Sequence, residues 1–206
     1  SASIAHEIRN PLAAIVQANE LLAGSDLDQQ QRLSQMIAKQ ALRIDCIIQD
    51  TLNMVRNKET YPTQLQLNQF IPTFLQEDLA DVAQQINYNI QDKMAITFDE
   101  AQLRQILINL LRNAIRHNVP AHAKIELNIY AHESNVRIDV RDFGSGVASQ
   151  DLAYLFQPFF STEITGTGLG LYLSRSFCEA NQAELSYVEQ KQGACFRIEC
   201  PHVALN

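Results

Sequence analysis

The segment HEIRNPL, residues 6–12, places a histidine, a carboxylate and an amide close together near the start of the chain. If this segment is helical, His6 and Asn10 lie on one face, because residues four apart are neighbours on a helix. Neutral imidazole is a nucleophile, and Glu7 could accept the proton of its second ring nitrogen. A solvated histidine beside a glutamate explains the same residues, so the rest of the chain has to decide between the two interpretations.

The segment belongs to a helical pattern. Apolar residues recur at steps of three and four over residues 2–23 and again over 28–58, with a break at Gly24, which predicts an antiparallel hairpin of two helices. His6 lies off the apolar stripe and is expected to be exposed, and Pro11 predicts a bend just beyond it. One hairpin buries little apolar surface, so we expect two chains to form a four-helix bundle. Packing of the hairpin on its own chain is the alternative.

The sequence YPT at residues 61–63 marks a boundary, which predicts a hairpin domain at 1–60 and a second domain at 61–206. Helical and strand-like periodicities alternate in the second domain, which favours a two-layer α/β sandwich with a mostly antiparallel sheet and an α+β fold class overall. The expected helices cover residues 69–84, 100–117 and 168–181, and the expected strands cover residues 65–68, 95–98, 124–132, 135–142, 185–189 and 194–200.

Composition and net charge limit the classes of function that the chain can have. The chain is 46% hydrophobic and carries a net charge of −7, so we expect a folded protein that does not bind nucleic acid. No apolar run approaches the roughly 20 residues that cross a bilayer, and no signal peptide is visible, so we expect any membrane span to lie outside this sequence. The four cysteines have no zinc-site spacing, so we expect small buried thiols at Cys195 and Cys200 and a reduced, cytoplasmic protein.

Polar residues follow one face of the expected helix at 100–117. Asn109, Asn113 and Arg116 recur at steps of four and three, and His117 is adjacent. Amide oxygens suit Mg²⁺, which also binds phosphate oxygens and water, and a guanidinium can bind phosphate directly. A solvated helix face is the alternative interpretation.

Three further segments combine glycine, aromatic and polar residues. DFGSGV, residues 142–147, follows a strand and offers an aspartate for an exocyclic amino group such as that of adenine, although a plain turn has the same composition. GTGLGL, residues 166–171, opens a helix whose first amides could bind phosphate. Between them FQPFFST, residues 156–162, suggests a mobile lid or the anchor of a long loop.

In this order the segments resemble the core of a bacterial sensor histidine kinase, with its H, N, G1, F and G2 boxes. The resemblance implies a homodimer in which a histidine-phosphotransfer hairpin precedes a Bergerat-type (GHKL) ATP-binding domain. It further implies Mg²⁺–ATP-dependent autophosphorylation, transfer to an aspartate of a response-regulator receiver domain, and a regulator phosphatase activity. A GHKL ATPase without phosphotransfer and a degenerate kinase scaffold are the alternatives.

The resemblance also implies roles for individual residues. His6 resembles the phosphoacceptor, Glu7 its acidic partner, and Asn10 the residue that places a water for dephosphorylation of the regulator. Asn113 resembles the Mg²⁺ ligand, and Asn109 lies beside it. The remaining residues of the expected nucleotide site face phosphates (Arg116, His117), hold the adenine (Asp142, Gly144, Gly146) or form the F box and lid (Phe156, Gly166, Thr167, Gly168, Leu169, Gly170). The sequence departs from the family at Glu163, where a lysine is usual.

Overall fold

The computed structural model describes residues 2–56, 59–91, 93–119, 123–163 and 166–202. The chain forms two compact units, the first made of Ser1–Lys58 with Gln157–Gly170 and the second of Glu59–Phe156 with Leu171–Asn206. The division into domains at residue 60 stays a prediction.

The first unit contains a helical hairpin, α1 (Ala2–Leu22) and α2 (Leu27–Arg56). Asp26 caps α2, since its Oδ1 accepts a hydrogen bond from the Gln29 amide at 2.8 Å. Glu7, early in α1, and Arg43, just past the middle of α2, are each about 18 residues from the turn at residues 23–26, and the 3.7 Å ion pair between them shows that the helices are antiparallel, as the sequence predicts. The predicted end of α2 at residue 58 lies outside the described residues.

The elements after the hairpin form a mixed α/β structure. In chain order they are β1 (Thr63–Gln66), α3 (Leu67–Asp78), β2 (Ile86–Ile90), β3 (Ala95–Phe98), α4 (Glu100–His117), β4 (Ile125–His132), β5 (Asn135–Arg141), α5 (Gly170–Ala180), β6 (Glu184–Glu189) and β7 (Ala194–Pro201). Short 3₁₀ turns cover Ala83–Gln85 and Leu152–Tyr154. Five strands form a sheet in the order β2-β4-β5-β7-β6, and β1 pairs with β3 in a separate two-stranded sheet. Only the β2–β4 pair of the described strands is parallel.

Helix α4 has the bounds that its periodicity predicts. Its apolar face is fully buried, and Asp99 caps its first turn by accepting a hydrogen bond from the Gln102 amide at 3.1 Å. The apolar face of α4 contacts β4 and β5. The polar face, which carries Asn109 and Asn113, therefore points away from this sheet, and both asparagines are half-buried.

The same cap holds the chain that enters the second unit. Asp99 Oδ2 accepts a hydrogen bond from the Tyr61 amide at 2.9 Å, and Gln102 donates to the Thr60 hydroxyl at 3.3 Å. Asn181 closes the network, since its oxygen accepts from the Asp99 amide at 2.7 Å and its nitrogen donates to Gln102 at 2.6 Å. Hydrogen bonds therefore hold Thr60 and Tyr61 against the start of α4.

The structure corrects two expectations. The predicted helix at 69–84 begins earlier and ends at Asp78, because the Leu67 amide already bonds to Met94 and the chain turns after Asp78. The strand expected at 65–68 consequently lies at Thr63–Gln66. Strand β2 was not expected from the sequence, and it pairs with β4 at the edge of the sheet.

Candidate functional site

His6 lies on the exposed surface of α1, as its position off the apolar stripe predicts. Asn10 is one turn further on and also exposed, so both side chains can reach the same partner. Glu7 is half-buried, and its ion pair among the described residues is with Arg43 across the hairpin. Pro11 is buried and α1 continues through it, whereas the bend expected there stays a prediction.

A chain of hydrogen bonds orients the amides of α4. Asn113 donates to the Asn109 oxygen at 3.4 Å, and Asn109 donates to the Ser174 hydroxyl of α5 at 3.0 Å. Both asparagines are half-buried, and no hydrogen bond from the described residues reaches the Asn113 oxygen. That oxygen is thus a candidate ligand for a hard cation. No pattern in the sequence indicates a role for Ser174, which is buried on α5.

Asp142 is buried directly after β5, with 4% of its surface exposed. Its Oδ1 accepts two backbone hydrogen bonds, from Gly144 at 2.9 Å and from Ala194 at 3.1 Å. Within the described residues, Oδ2 accepts no hydrogen bond. Because Oδ1 is held by two backbone amides, Oδ2 is the carboxylate oxygen that can accept a hydrogen bond from the N–H group of a ligand.

The loop after Asp142 packs tightly on the end of α4. A Cβ at Gly144 would overlap the carbonyl oxygen of His117, so only glycine allows this approach. Asn118, the residue after α4, accepts a hydrogen bond from the Phe143 amide at 2.9 Å. The predicted adenine and phosphate residues of the second unit are therefore brought together at one end of α4.

The turn between β6 and β7 supports Asp142 from the other side. The Asp142 amide donates to the Ala194 carbonyl at 3.0 Å, and Gln192 donates to the Phe143 carbonyl at 3.3 Å. Gly193 has a φ of +78° and lies directly against the Asp142 carbonyl. The sequence indicated a plain hairpin turn here, and only the register of β5 with β7 reveals its contact with Asp142.

The loop of the first unit has contacts of its own. The Phe159 amide donates to the Gly168 carbonyl at 2.9 Å, and Gly168 has a φ of +68°. Ser161 and Glu163 form a local turn, since the Ser161 hydroxyl accepts from the Glu163 amide at 3.1 Å. The Leu169 amide donates to the Thr167 hydroxyl at 3.3 Å, just before α5 begins at Gly170.

Phe156 belongs to the second unit and is anchored there. Its ring meets Phe196 edge to face at 6.4 Å, and the Arg175 guanidinium lies 5.4 Å from its centre. These two ring contacts hold the Phe156 side chain in place.

The thiols of Cys195 and Cys200 are buried, as the sequence predicts. Cys178, Cys195 and Cys200 are buried, and Cys46 is exposed. Burial raises the pKa of Cys195 and of Cys200 to about 12 and raises the pKa of Cys178 further, because the thiolate loses its hydration. These groups stay neutral near neutral pH.

Among the described residues, no helix has both the length and the apolar character that a bilayer crossing requires.

Comparison with known proteins identifies the family. The model described as histidine kinase-, DNA gyrase B- and HSP90-like ATPase matches residues 98–204, and the His Kinase A (phospho-acceptor) domain matches residues 1–60. Sensor protein kinase PilS of Pseudomonas aeruginosa is 39% identical over 212 residues, which cover 98% of this chain and 40% of PilS. Sensor histidine kinase ZraS of Escherichia coli is 31% identical over 211 residues, which cover 98% of this chain and 44% of ZraS. The chain spans less than half the length of either relative.

Solved structures confirm the fold class. Histidine kinase ThkA, solved in complex with the response regulator protein TrrA, matches with a TM-score of 0.76 and 23% identity over 98% of this chain and 60% of that chain. Acinetobacter baumannii histidine kinase AdeS matches with a TM-score of 0.67 and 20% identity over 95% of this chain and 97% of that chain. At these identities the likeness establishes the fold alone. The two family models and the sequence relatives show that the chain belongs to the histidine kinase-, DNA gyrase B- and HSP90-like ATPases and is a sensor histidine kinase catalytic core.

Proposed function

We propose that the chain transfers the γ-phosphoryl group of ATP to His6 and from there to an aspartate of a response-regulator receiver domain. The observation that carries the proposal is the buried Asp142 carboxylate, which holds one oxygen in place with two backbone amides and has the other without a donor among the described residues. The exocyclic amino group of adenine is a donor of the kind this oxygen lacks.

The second unit offers complementary groups to the rest of the nucleotide. Gly144 and Gly146 lie in the loop after Asp142, and Asn109 and Asn113 lie in the C-terminal half of α4. Arg116 and His117, both exposed in the last turn of α4, supply positive charge or hydrogen bonds for phosphates. In the lid, we assign the phosphate contacts to the backbone around Gly166, Thr167, Gly168, Leu169 and Gly170, because glycine leaves the amides accessible.

The Asn113 oxygen fits a magnesium ion, since no hydrogen bond from the described residues engages it. A bound Mg²⁺ would neutralise charge on the phosphates. The protein contributes the orientation, because the Asn109–Ser174 bond fixes the amide that holds Asn113.

His6 acts as the nucleophile. One ring nitrogen forms the N–P bond while the bond between the γ-phosphorus and the ADP oxygen breaks, and the proton of the other ring nitrogen passes to Glu7. Arg43 forms a 3.7 Å ion pair with Glu7, which favours the ionised carboxylate that can accept this proton. For dephosphorylation of the regulator, in which water attacks the aspartyl phosphate and inorganic phosphate leaves, we assign Asn10 the placement of the attacking water.

Two copies of the chain form a four-helix bundle from their hairpins. Leu12 and Val16, one turn apart on α1, are each 50% exposed, and Leu42 of α2 is 68% exposed. Apolar side chains at this spacing favour a four-helix bundle with a second copy. We further propose that the chain is the cytoplasmic part of a longer sensor whose membrane anchor lies outside this sequence, because it spans less than half of PilS and ZraS.

Incubation with γ-labelled ATP tests the proposal. We expect an acid-labile, base-stable phosphoprotein that is lost in His6→Gln and retained in the control His132→Gln, since His132 lies on β4 of the second unit. ATP hydrolysis without label would instead indicate an ATPase without phosphotransfer, and nucleotide binding without either activity would indicate a scaffold. Asn10→Ala should retain autophosphorylation and lose dephosphorylation of the regulator, and an equal loss of both would contradict its assignment.

A further inference from the structure

Asn118 connects three segments around the proposed nucleotide site. It follows α4, and its side-chain oxygen accepts a hydrogen bond from the Phe143 amide at 2.9 Å. Its side-chain nitrogen donates to the carbonyl of Ala123, just before β4. The side chain therefore joins the end of α4 to the loop that begins with Asp142.

Ending the helix does not require this side chain. The backbone amide of Asn118 already bonds to the Ile115 carbonyl at 3.4 Å, and this contact needs no side chain. An amide that both accepts from one loop and donates to another is instead suited to fix the two loops against each other.

The loop itself has other supports. Gln192 donates to the Phe143 carbonyl at 3.3 Å, and the Arg141 guanidinium lies 4.8 Å from the centre of the Phe143 ring. Loss of the Asn118 bond should therefore leave the loop folded while its position relative to α4 becomes less defined.

We propose that Asn118 is a positioning residue for nucleotide binding that sets the distance between the Asp142 end of the site and the Asn113 end. The inference rests on the proposed function, in which Asp142 binds the base and α4 binds the phosphates. A ligand that reaches both ends depends on their separation, whereas a ligand that reaches one end does not.

The test compares two probes. Mg²⁺–ADP spans both ends of the site, and adenosine reaches only the Asp142 end. For Asn118→Ala we expect the dissociation constant of Mg²⁺–ADP, measured by calorimetry, to rise about tenfold, as for the loss of one hydrogen bond. The dissociation constant of adenosine, measured by NMR titration, should stay within about twofold of the wild-type value. The Phe143 amide should also exchange faster with solvent.

Asn135→Ala is the matched control. Asn135 is a half-buried asparagine at the far end of β5, and it donates one side-chain hydrogen bond to Glu199 at 2.7 Å. Its loss should lower the melting temperature and leave both dissociation constants unchanged. A second variant, Asn118→Asp, keeps the oxygen that faces Phe143 and guards against a failure of the alanine variant to fold. In about 0.5 M salt, which screens the added charge, its Mg²⁺–ADP affinity should stay within about threefold of wild type.

The inference is overturned if Asn118→Ala binds Mg²⁺–ADP as the wild type does, or if it loses Mg²⁺–ADP and adenosine by the same factor. A tenfold loss in Asn118→Asp as well would also overturn it, because the Phe143 bond would then not be the contact that matters. Failure of the wild type to bind Mg²⁺–ADP would refute the proposed function itself, which the Asn118 variants alone cannot do.

Discussion

Replacement of Gly193 by alanine should displace Asp142 and weaken nucleotide binding. A Cβ at residue 193 would overlap the Asp142 carbonyl oxygen and would lie 2.6 Å from its carbonyl carbon and 2.8 Å from the Phe143 Cα. These atoms are backbone, so no side-chain rotation relieves the overlap. Either the β6–β7 turn or the Asp142 segment has to move, and the two hydrogen bonds between Asp142 and Ala194 would stretch.

The expected effect has two parts. Alanine at a φ of +78° costs about 1–2 kcal/mol of stability from the backbone alone. A displaced Asp142 carboxylate would lose the hydrogen bond that we propose it accepts from the adenine amino group, and a bond to a charged group is worth about 1.5–3 kcal/mol. The dissociation constant of Mg²⁺–ADP should therefore rise roughly tenfold to a hundredfold. Calorimetric titration measures it, and thermal unfolding measures the stability.

Two variants separate the causes. Gly24→Ala is the control, because no atom lies within 4 Å of its Cβ position, and we expect no change in the dissociation constant. Asparagine tolerates positive φ better than alanine but brings the same Cβ, so Gly193→Asn should bind as weakly as Gly193→Ala. Wild-type affinity in Gly193→Ala would refute the reasoning, and rescue by asparagine would show that φ, rather than the contact with Asp142, limits this position.

Three further predictions concern stability and reactivity. Asp99→Ala should lower the free energy of unfolding in urea by about 1–2 kcal/mol through loss of the α4 cap, whereas Asp99→Asn should recover only part of it, because its one oxygen can accept from Gln102 while its NH2 group cannot accept from Tyr61; equal losses would contradict the cap. A thiol reagent at mildly alkaline pH should modify Cys46 quickly and the three buried cysteines only after unfolding, because their raised pKa leaves little thiolate; a second fast thiol would contradict this. Hydrogen bonds from Arg137 and Asn135 lower the pKa of Glu199, so its carboxylate stabilises the fold above the ordinary carboxyl pKa and this contribution is lost as the pH falls through the lowered value. Wild type should exceed Glu199→Gln in stability by up to about 1 kcal/mol near neutral pH and converge with it in acid, and a difference that persists in acid would contradict the assignment.

The sequence predicts those elements whose pattern is local. Helix α4 was placed correctly because a capping aspartate, Asp99, precedes an uninterrupted apolar period. Strand β2 was missed because INYNI, residues 86–90, contains two asparagines, which are rare in strands, and lies at a sheet edge where Tyr88 is 44% exposed. The predicted helix at 69–84 is too long because the apolar residues Leu79, Val82 and Ala83 continue past Asp78, where the chain turns and only Leu79 is buried.

Some residues of the candidate site can be predicted from local sequence patterns, and others cannot. Asp142 and the two asparagines of α4 stand in motifs that are visible in the sequence, and their roles remain predictions. Ser174 and Asn118 each form a hydrogen bond with a residue far away in the chain, Asn109 and Phe143 respectively. No spacing pattern in the sequence predicts such contacts. The contact of Gly193 with Asp142 depends on the pairing of Arg141 with Cys195, which is a property of the assembled sheet.

The parallel pairing of β2 with β4 has a consequence for how the protein folds. Ile86 pairs with Ile125, and β3 and all of α4 lie between these strands in the chain. The hairpins β4–β5 and β6–β7 can close locally, whereas β2 must close a long loop and therefore forms its contacts late. During synthesis β2 leaves the ribosome before its partner exists. We expect this edge to be the last part of the sheet to fold and the first to exchange its amide hydrogens with solvent.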